Sequence, residues 1–175
     1  MQVTYNSEIG QKVRPSNLIL LFALILLLID QLSKWWIAHT LPLMDQVAYI
    51  YPYGGIGVFK NLWGIEFSIT HMTNTGAAWG VLGHYQFPLL ILRIGLISGI
   101  IIYLFFLNRN PAWILPLSLI LAGAIGNVLD YFIYGHVIDM LHFILWGYDF
   151  AVFNVADSLI SLGIGCLILL SWIRS

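Results

Sequence analysis

Asp30 stands at the end of one long apolar stretch, Asp130 at the end of another, and Asn154 and Asp157 at the start of a third. Carboxylates at a membrane edge are costly and usually functional. If the chain crosses a bilayer four times, all three places fall on one face, and the pattern points to carboxylate chemistry at one membrane surface. Asp30 and Lys34 are four apart and share a helix face, as a local ion pair would. Asn127 and Asp130 are three apart, as are Asn154 and Asp157, so each pair is expected on one helical face near the outer end of its span. The asparagines suit interhelical hydrogen bonding or the positioning of a carboxylate. Aspartates are less comfortable as glue, because an ionised carboxylate needs a partner that asparagine only partly provides.

The elements that must position these groups are four apolar segments, at about 18–37, 87–107, 111–129 and 150–173. Of the 175 residues, 60% are hydrophobic and 9% charged, against about 25% charged in a soluble domain. Each segment is close to the ~20 residues a helix needs to cross the hydrocarbon, and unpaired backbone is excluded there, so helices are expected. Lys12, Arg14, Arg109 and Arg174 then fall on one side and Lys34 and Lys60 on the other, which favours both termini inside and the acids outside. Trp35, Trp36, Trp113, Trp146 and Trp172 suit interfacial belts. In the long outer excursion, Ile65, Phe67 and Ile69 alternate with Glu66, Ser68 and Thr70, which reads as a strand after a Tyr53-Gly54-Gly55 turn. The expected architecture is an all-α membrane protein of four transmembrane helices, with a small extracytoplasmic β element in the first outer loop. Residues 1–17 are read as a polar cytoplasmic extension and 18–175 as a single membrane domain. The first apolar stretch lacks a small-residue cleavage site and is read as a retained span.

Other features carry weaker signals. A net charge of −1 suggests no nucleic-acid partner. Cys166, the single cysteine, reads as a small buried apolar residue. Ala122, Gly123, Ala124 and Gly126 form a small-residue face that lets another helix approach. Asn74 through Gly80 is a small, flexible run that reads as a tight turn feeding a helix and leaves room for a bulky ligand. Asp139 reads, by itself, as a solvated loop aspartate. His136, Asp139 and His142, spaced by three, leave a metal reading open, though neither an H-E-x-x-H pattern nor a cysteine partner accompanies them. No G-x-S-x-G elbow or phosphate-binding glycine loop is present.

Five motifs occur in order: Asp30-Gln31-Leu32-Ser33-Lys34; Asn74-Thr75-Gly76-Ala77-Ala78-Trp79-Gly80; Gly126-Asn127 with Asp130; Gly135 through Asp139; and Phe153-Asn154-Val155-Ala156-Asp157. Together they resemble lipoprotein signal peptidase (signal peptidase II), a family of bacterial membrane aspartic proteases. The resemblance covers nearly everything after residue 17. It implies Asp139 and Asp157 as the catalytic pair, with Asp30, Lys34, Asn74, Gly76, Asn127, Asp130 and Asn154 at supporting or substrate-binding positions. It also implies cleavage of prolipoproteins just before a diacylglyceryl-modified cysteine, at the outer face of the cytoplasmic membrane, with no metal or other cofactor. The protein is expected to act as a monomer, with its lipidated substrate held partly in the outer leaflet. One departure stands out: Tyr131 follows Asp130 where the family usually has arginine, which removes a two-bonded grip on that carboxylate. Two other readings remain for the same residues, a small ion or proton transporter and a structural subunit whose acids are interhelical glue.

Overall fold

The computed structural model describes residues 12–75 and 86–173. Gly76 and the rest of the small-residue run up to Gly80 lie outside the described residues. Among the described residues, four helical stretches are long and apolar enough to cross a membrane. Their principal helices are α1 (Asn17–Thr40), α2 (Gln86–Ile102), α3 (Ile114–Tyr134) and α4 (Val155–Ile173). Ser16 caps α1, its hydroxyl accepting from the Ile19 N–H. A π turn at Tyr103–Leu107 ends the α2 stretch, and a 3₁₀ turn at Pro111–Trp113 leads into α3.

The helices are apolar outside and polar inside. Leu18, Leu32, Phe87, Ile168 and Trp172 face outward, while Asp30, Lys34 and Asp130 are fully buried between helices. That inversion is expected where lipid, rather than water, surrounds the bundle. The small-residue face does what its composition suggests. A methyl group on Gly123 would come within 2.3 Å of the Ala156 carbonyl oxygen, and one on Gly163 within 2.7 Å of the Pro116 carbonyl oxygen. Glycine at these points lets α3 and α4 pack backbone to backbone. At the end away from the acids, the Val13 N–H donates to the Asn108 carbonyl at 2.9 Å, so the segment before α1 and the α2–α3 turn meet.

A four-stranded antiparallel sheet in the order β1-β2-β3-β4 caps the other end. Its strands are β1 (Ile56–Leu62), β2 (Ile65–Asn74), β3 (Val137–Leu145) and β4 (Tyr148–Asp149). The alternation at Ile65–Thr70 is therefore a strand, but the sheet also takes two strands from the second connection. Both hairpins close with a Trp-Gly pair at positive φ (Trp63 and Gly64, Trp146 and Gly147), as tight primed turns require.

Three expectations are corrected. Asp139 lies on β3, not in a solvated loop, and is only 1% exposed. The run Val137–Leu145 lacks a polar alternation, because its first residues are buried by helix ends and neighbouring strands, so periodicity did not mark it. The fourth helix begins at Val155 rather than near Phe150, because Phe153 bridges to Leu141 and extends the sheet. Cys166 is exposed rather than buried, since the tightly packed face of α4 (Ala156, Leu159 and Gly163) ends one turn earlier.

Candidate active site

Lys34 is the centre of the buried polar network. Its ammonium lies 2.9 Å from Asp30 Oδ2, 2.7 Å from Asp130 Oδ2 and 2.9 Å from Asn127 Oδ1, so its three donors meet three acceptors. The Asp30–Lys34 ion pair expected from spacing is thus one arm of a larger cluster that ties α1 to α3. Asp30 Oδ1 accepts from the Ala156 N–H at 2.8 Å, in the first turn of α4. A carboxylate is favoured there by the free N–H groups and dipole of a helix start. Gly126 makes space for this contact, because a methyl group on it would sit 2.6 Å from Asp30 Oδ2.

Asp130 is held without any arginine beside it. Lys34, the Gln31 amide at 2.9 Å and the Ile138 N–H at 3.4 Å supply its donors. Tyr131 instead packs edge-on to Phe132, and its carbonyl accepts from the Gly135 N–H. Gln31, from the same motif as Asp30 and Lys34, has a part that charge alone does not reveal. Its amide also reaches Asp30 Oδ2 and the Gly126 carbonyl, each at 3.1 Å, making it a clasp between α1 and α3. Its place one residue after Asp30, on a lipid-embedded segment, was the available signal.

Asp139 and Asp157 meet a different set of neighbours. Asp139 Oδ2 accepts from the Asn74 amide at 3.0 Å, and Oδ1 from the Asn154 amide at 2.7 Å. Asp157 Oδ1 accepts from the Asn127 amide at 2.8 Å. Asn154 is the residue before the first turn of α4, not a member of the helix, and it closes a reciprocal cap. Its Oδ1 accepts from the Asp157 N–H at 2.8 Å, while Asp157 Oδ2 accepts from the Asn154 N–H at 3.3 Å. The asparagine-x-x-aspartate spacing was therefore a capping signature rather than a shared helical face. One side chain, Asn154, touches the carboxylate of Asp139 and the main chain of Asp157 at once.

Four carboxyls and one ammonium are linked in this network. Burial, and next the Asp157 charge, push the Asp139 carboxyl up to about 7, against weaker opposing hydrogen bonds from Asn74 and Asn154. A cavity of about 530 Å³ opens onto Asp139 and Asn74 and is lined also by Leu43, Tyr49, Asp149 and Val152. A group bound there reaches an acid that holds its proton near neutrality.

The histidines do not join Asp139. His142 instead lies 2.8 Å from Asp149 Oδ1, with the Tyr53 ring against it. Among the described residues, no three His, Cys, Asp or Glu side chains gather as a metal site would need. Of the nine sequence-derived site residues, eight converge at the sheet-bearing end of the helices; Gly76 lies outside the described residues.

The family Signal peptidase (SPase) II matches residues 22–173. The lipoprotein signal peptidase of Streptococcus agalactiae serotype V is 35% identical over 153 residues, covering 87% of this chain and 90% of that protein. That of Bacillus subtilis strain 168 is 30% identical, covering 82% and 86%. That of Chlamydia pneumoniae is 43% identical over a shorter span, 61% of this chain and 65% of its own length. A solved bacterial membrane enzyme, determined by the in meso method at 2.3 Å, superposes with a TM-score of 0.75 at 28% identity, over 92% of this chain and 91% of its own. The chain belongs to the signal peptidase II family and is a peptidase carried on four membrane-spanning helices.

Proposed function

We propose that this peptidase removes the signal peptides of prolipoproteins before a diacylglyceryl-modified cysteine, by water attack activated by Asp139 and Asp157. The observation that carries the reading is the shared contact at Asn154, which joins both acids within one largely buried, amide-lined site. Two carboxyls so placed hold one proton between them. The ionised member takes a proton from a water, the protonated member donates to the scissile carbonyl oxygen, and the water attacks. The tetrahedral intermediate collapses as the leaving amine is protonated. The pair titrates as a unit, so the proton belongs to both acids.

Asn74, Asn127 and Asn154 orient the two acids, while Asp30, Lys34 and Asp130 fix the helix ends that carry them. The cavity beside Asp139 takes the peptide, the lipid chains remain among the outward apolar helix surfaces, and the small side chains of Gly76, Ala77 and Ala78 leave room for the modified cysteine. Residues 18–175 form the membrane domain, and residues 1–17 a cytoplasmic extension. Both termini are cytoplasmic and the acids face outward from the bacterial inner membrane, in keeping with the excess of Lys and Arg at the Asn108 end. A monomer contains all of these groups.

Purified protein supplied with a diacylated precursor provides the test. Cleavage by the parent but not by folded Asp139→Asn or Asp157→Asn, and indifference to chelator, supports the dyad. Cleavage surviving both substitutions would overturn it, and equal cleavage of an unlipidated precursor would remove the lipid requirement.

A further inference from the structure

Asn108, in the turn between α2 and α3, is buried, and each of its polar groups is used. Its N–H donates to the Tyr103 carbonyl at 2.8 Å, and its carbonyl accepts from the Val13 N–H at 2.9 Å. Its side-chain oxygen accepts from the Asn110 N–H at 3.0 Å, and its side-chain amide donates to the Val13 carbonyl at 3.3 Å. Asn110 in turn accepts from the Ala112 N–H and starts the 3₁₀ turn that leads into α3. One asparagine thus fixes the shape of the turn and holds both main-chain groups of Val13. The residues just before α1 are docked on the turn.

That docking gathers charge. Lys12 and Arg14 flank Val13, Arg109 follows Asn108, and all three are exposed. Each Cα is one residue, about 3.8 Å, from a member of the bonded pair, so three long cationic side chains start from one small patch. Among the described residues, no carboxylate is bonded to any of them. Cations held together without a counter-charge repel one another, and a bound anion relieves the repulsion. The setting selects the anion. The patch lies where the α1 stretch begins, the α2 stretch ends at Leu107 and the α3 stretch starts at Pro111. Leu18, Phe106 and Leu107 beside it are exposed, an apolar surface of the kind that acyl chains cover. The Tyr103 and Trp113 rings, 5.9 Å apart, stand at the same level, where interfacial aromatics belong. Cations next to lipid-facing apolar side chains match a phosphodiester headgroup with its acyl chains, whereas a free phosphate would use the cations alone.

We propose that Lys12, Arg14 and Arg109 form a binding site for the headgroup of an anionic phospholipid, built jointly by the residues before α1 and the α2–α3 turn. The two arginines grip phosphate oxygens through paired N–H groups, and the lysine adds a point charge. The acyl chains lie along Leu18 and Leu107. The lipid thereby joins the start of the first span to the turn between the second and third. The site is at the end of the bundle away from the acids and does not depend on the peptidase reading.

The test uses the full chain in a neutral detergent with equal amounts of phosphatidylglycerol and phosphatidylcholine, read by native mass spectrometry. One phosphatidylglycerol retained per chain is expected, at roughly fivefold or more over phosphatidylcholine. Combining Lys12→Gln, Arg14→Gln and Arg109→Gln should bring that ratio to about one. The three side chains are exposed, so the fold is kept, and an unchanged unfolding midpoint in phosphatidylcholine checks this. Lys60→Gln removes one charge at the opposite end of the molecule and should leave the ratio as it was. Equal retention of the two lipids by the parent, or a preference that survives the triple change, would overturn the proposal. A ratio lowered as much by Lys60→Gln as by Arg109→Gln would replace the site with net charge. Displacement of the lipid by millimolar inorganic phosphate as readily as by added phosphatidylglycerol would assign the cations to a free anion instead.

Discussion

Two groups of acids lie within one connected network, yet they are treated differently. Asp30 and Asp130 share a lysine, a glutamine amide and two main-chain N–H groups, so their charge is compensated and their oxygens are occupied. Among the described residues, Asp139 and Asp157 receive only amide and main-chain donors, and no cation is bonded to either. Position in the membrane does not separate the two groups; the donors do. A carboxylate with a counter-ion is an anchor, whereas a pair of carboxyls served by neutral amides keeps a shared proton available for transfer.

The largest effect expected from breaking this contrast is on rate. Asp139→Asn or Asp157→Asn should lower turnover by on the order of 10²–10⁴-fold, with the thermal unfolding midpoint close to that of the parent; a fall in stability with little loss of rate would reverse the assignment. Lys34→Met should act the other way round. It leaves two buried carboxylates uncompensated and should cost about 3–5 kcal/mol of stability, read by unfolding in detergent, and unchanged stability would mean that the cluster is already neutral. Gly126→Ala presses a methyl on Asp30 and should cost about 1–3 kcal/mol, again by unfolding.

The proton itself provides a fourth test. Because the Asp139 carboxyl is raised to about 7, the folded chain holds a proton there that the unfolded chain has already released. Cleavage should therefore fall as pH rises through about 7, roughly tenfold per unit beyond it, and stability should decline as pH rises from about 4 to 7. A rate that is flat from pH 6 to 9 would remove the shared proton from the mechanism. The smallest effect belongs to Tyr131→Phe, expected within about 0.5 kcal/mol of the parent in stability, because Asp130 is gripped from elsewhere; a large loss would show that the tyrosine hydroxyl takes the place of the family arginine.

How much of this was legible in the residues depended on the kind of signal. The four spans were clear from hydropathy, and their polar members from the cost of burying them. β3 was not, because a strand covered on both faces near the helices loses the alternation that marks a half-buried one, and with it went the placement of Asp139. Asn154 was recognised as a positioning residue for the wrong local reason, since a spacing of three fits both a helical face and a helix cap. Gln31 was overlooked because neutral amides carry no charge to attract attention, although its bonds to Asp30, Asp130 and the Gly126 carbonyl join two helices.

The bond between Asp30 and the Ala156 N–H joins positions 126 residues apart, on the first and last of the four spans. During synthesis the chain thus carries its first anchoring acid into the bilayer long before the partner and Asp157 exist. A nascent or truncated chain lacking α4 has neither the cap at Asn154 nor the second carboxyl. With the proposed dyad, proteolytic competence arrives only with the last segment inserted, and the membrane is not exposed to a half-built protease in the interval.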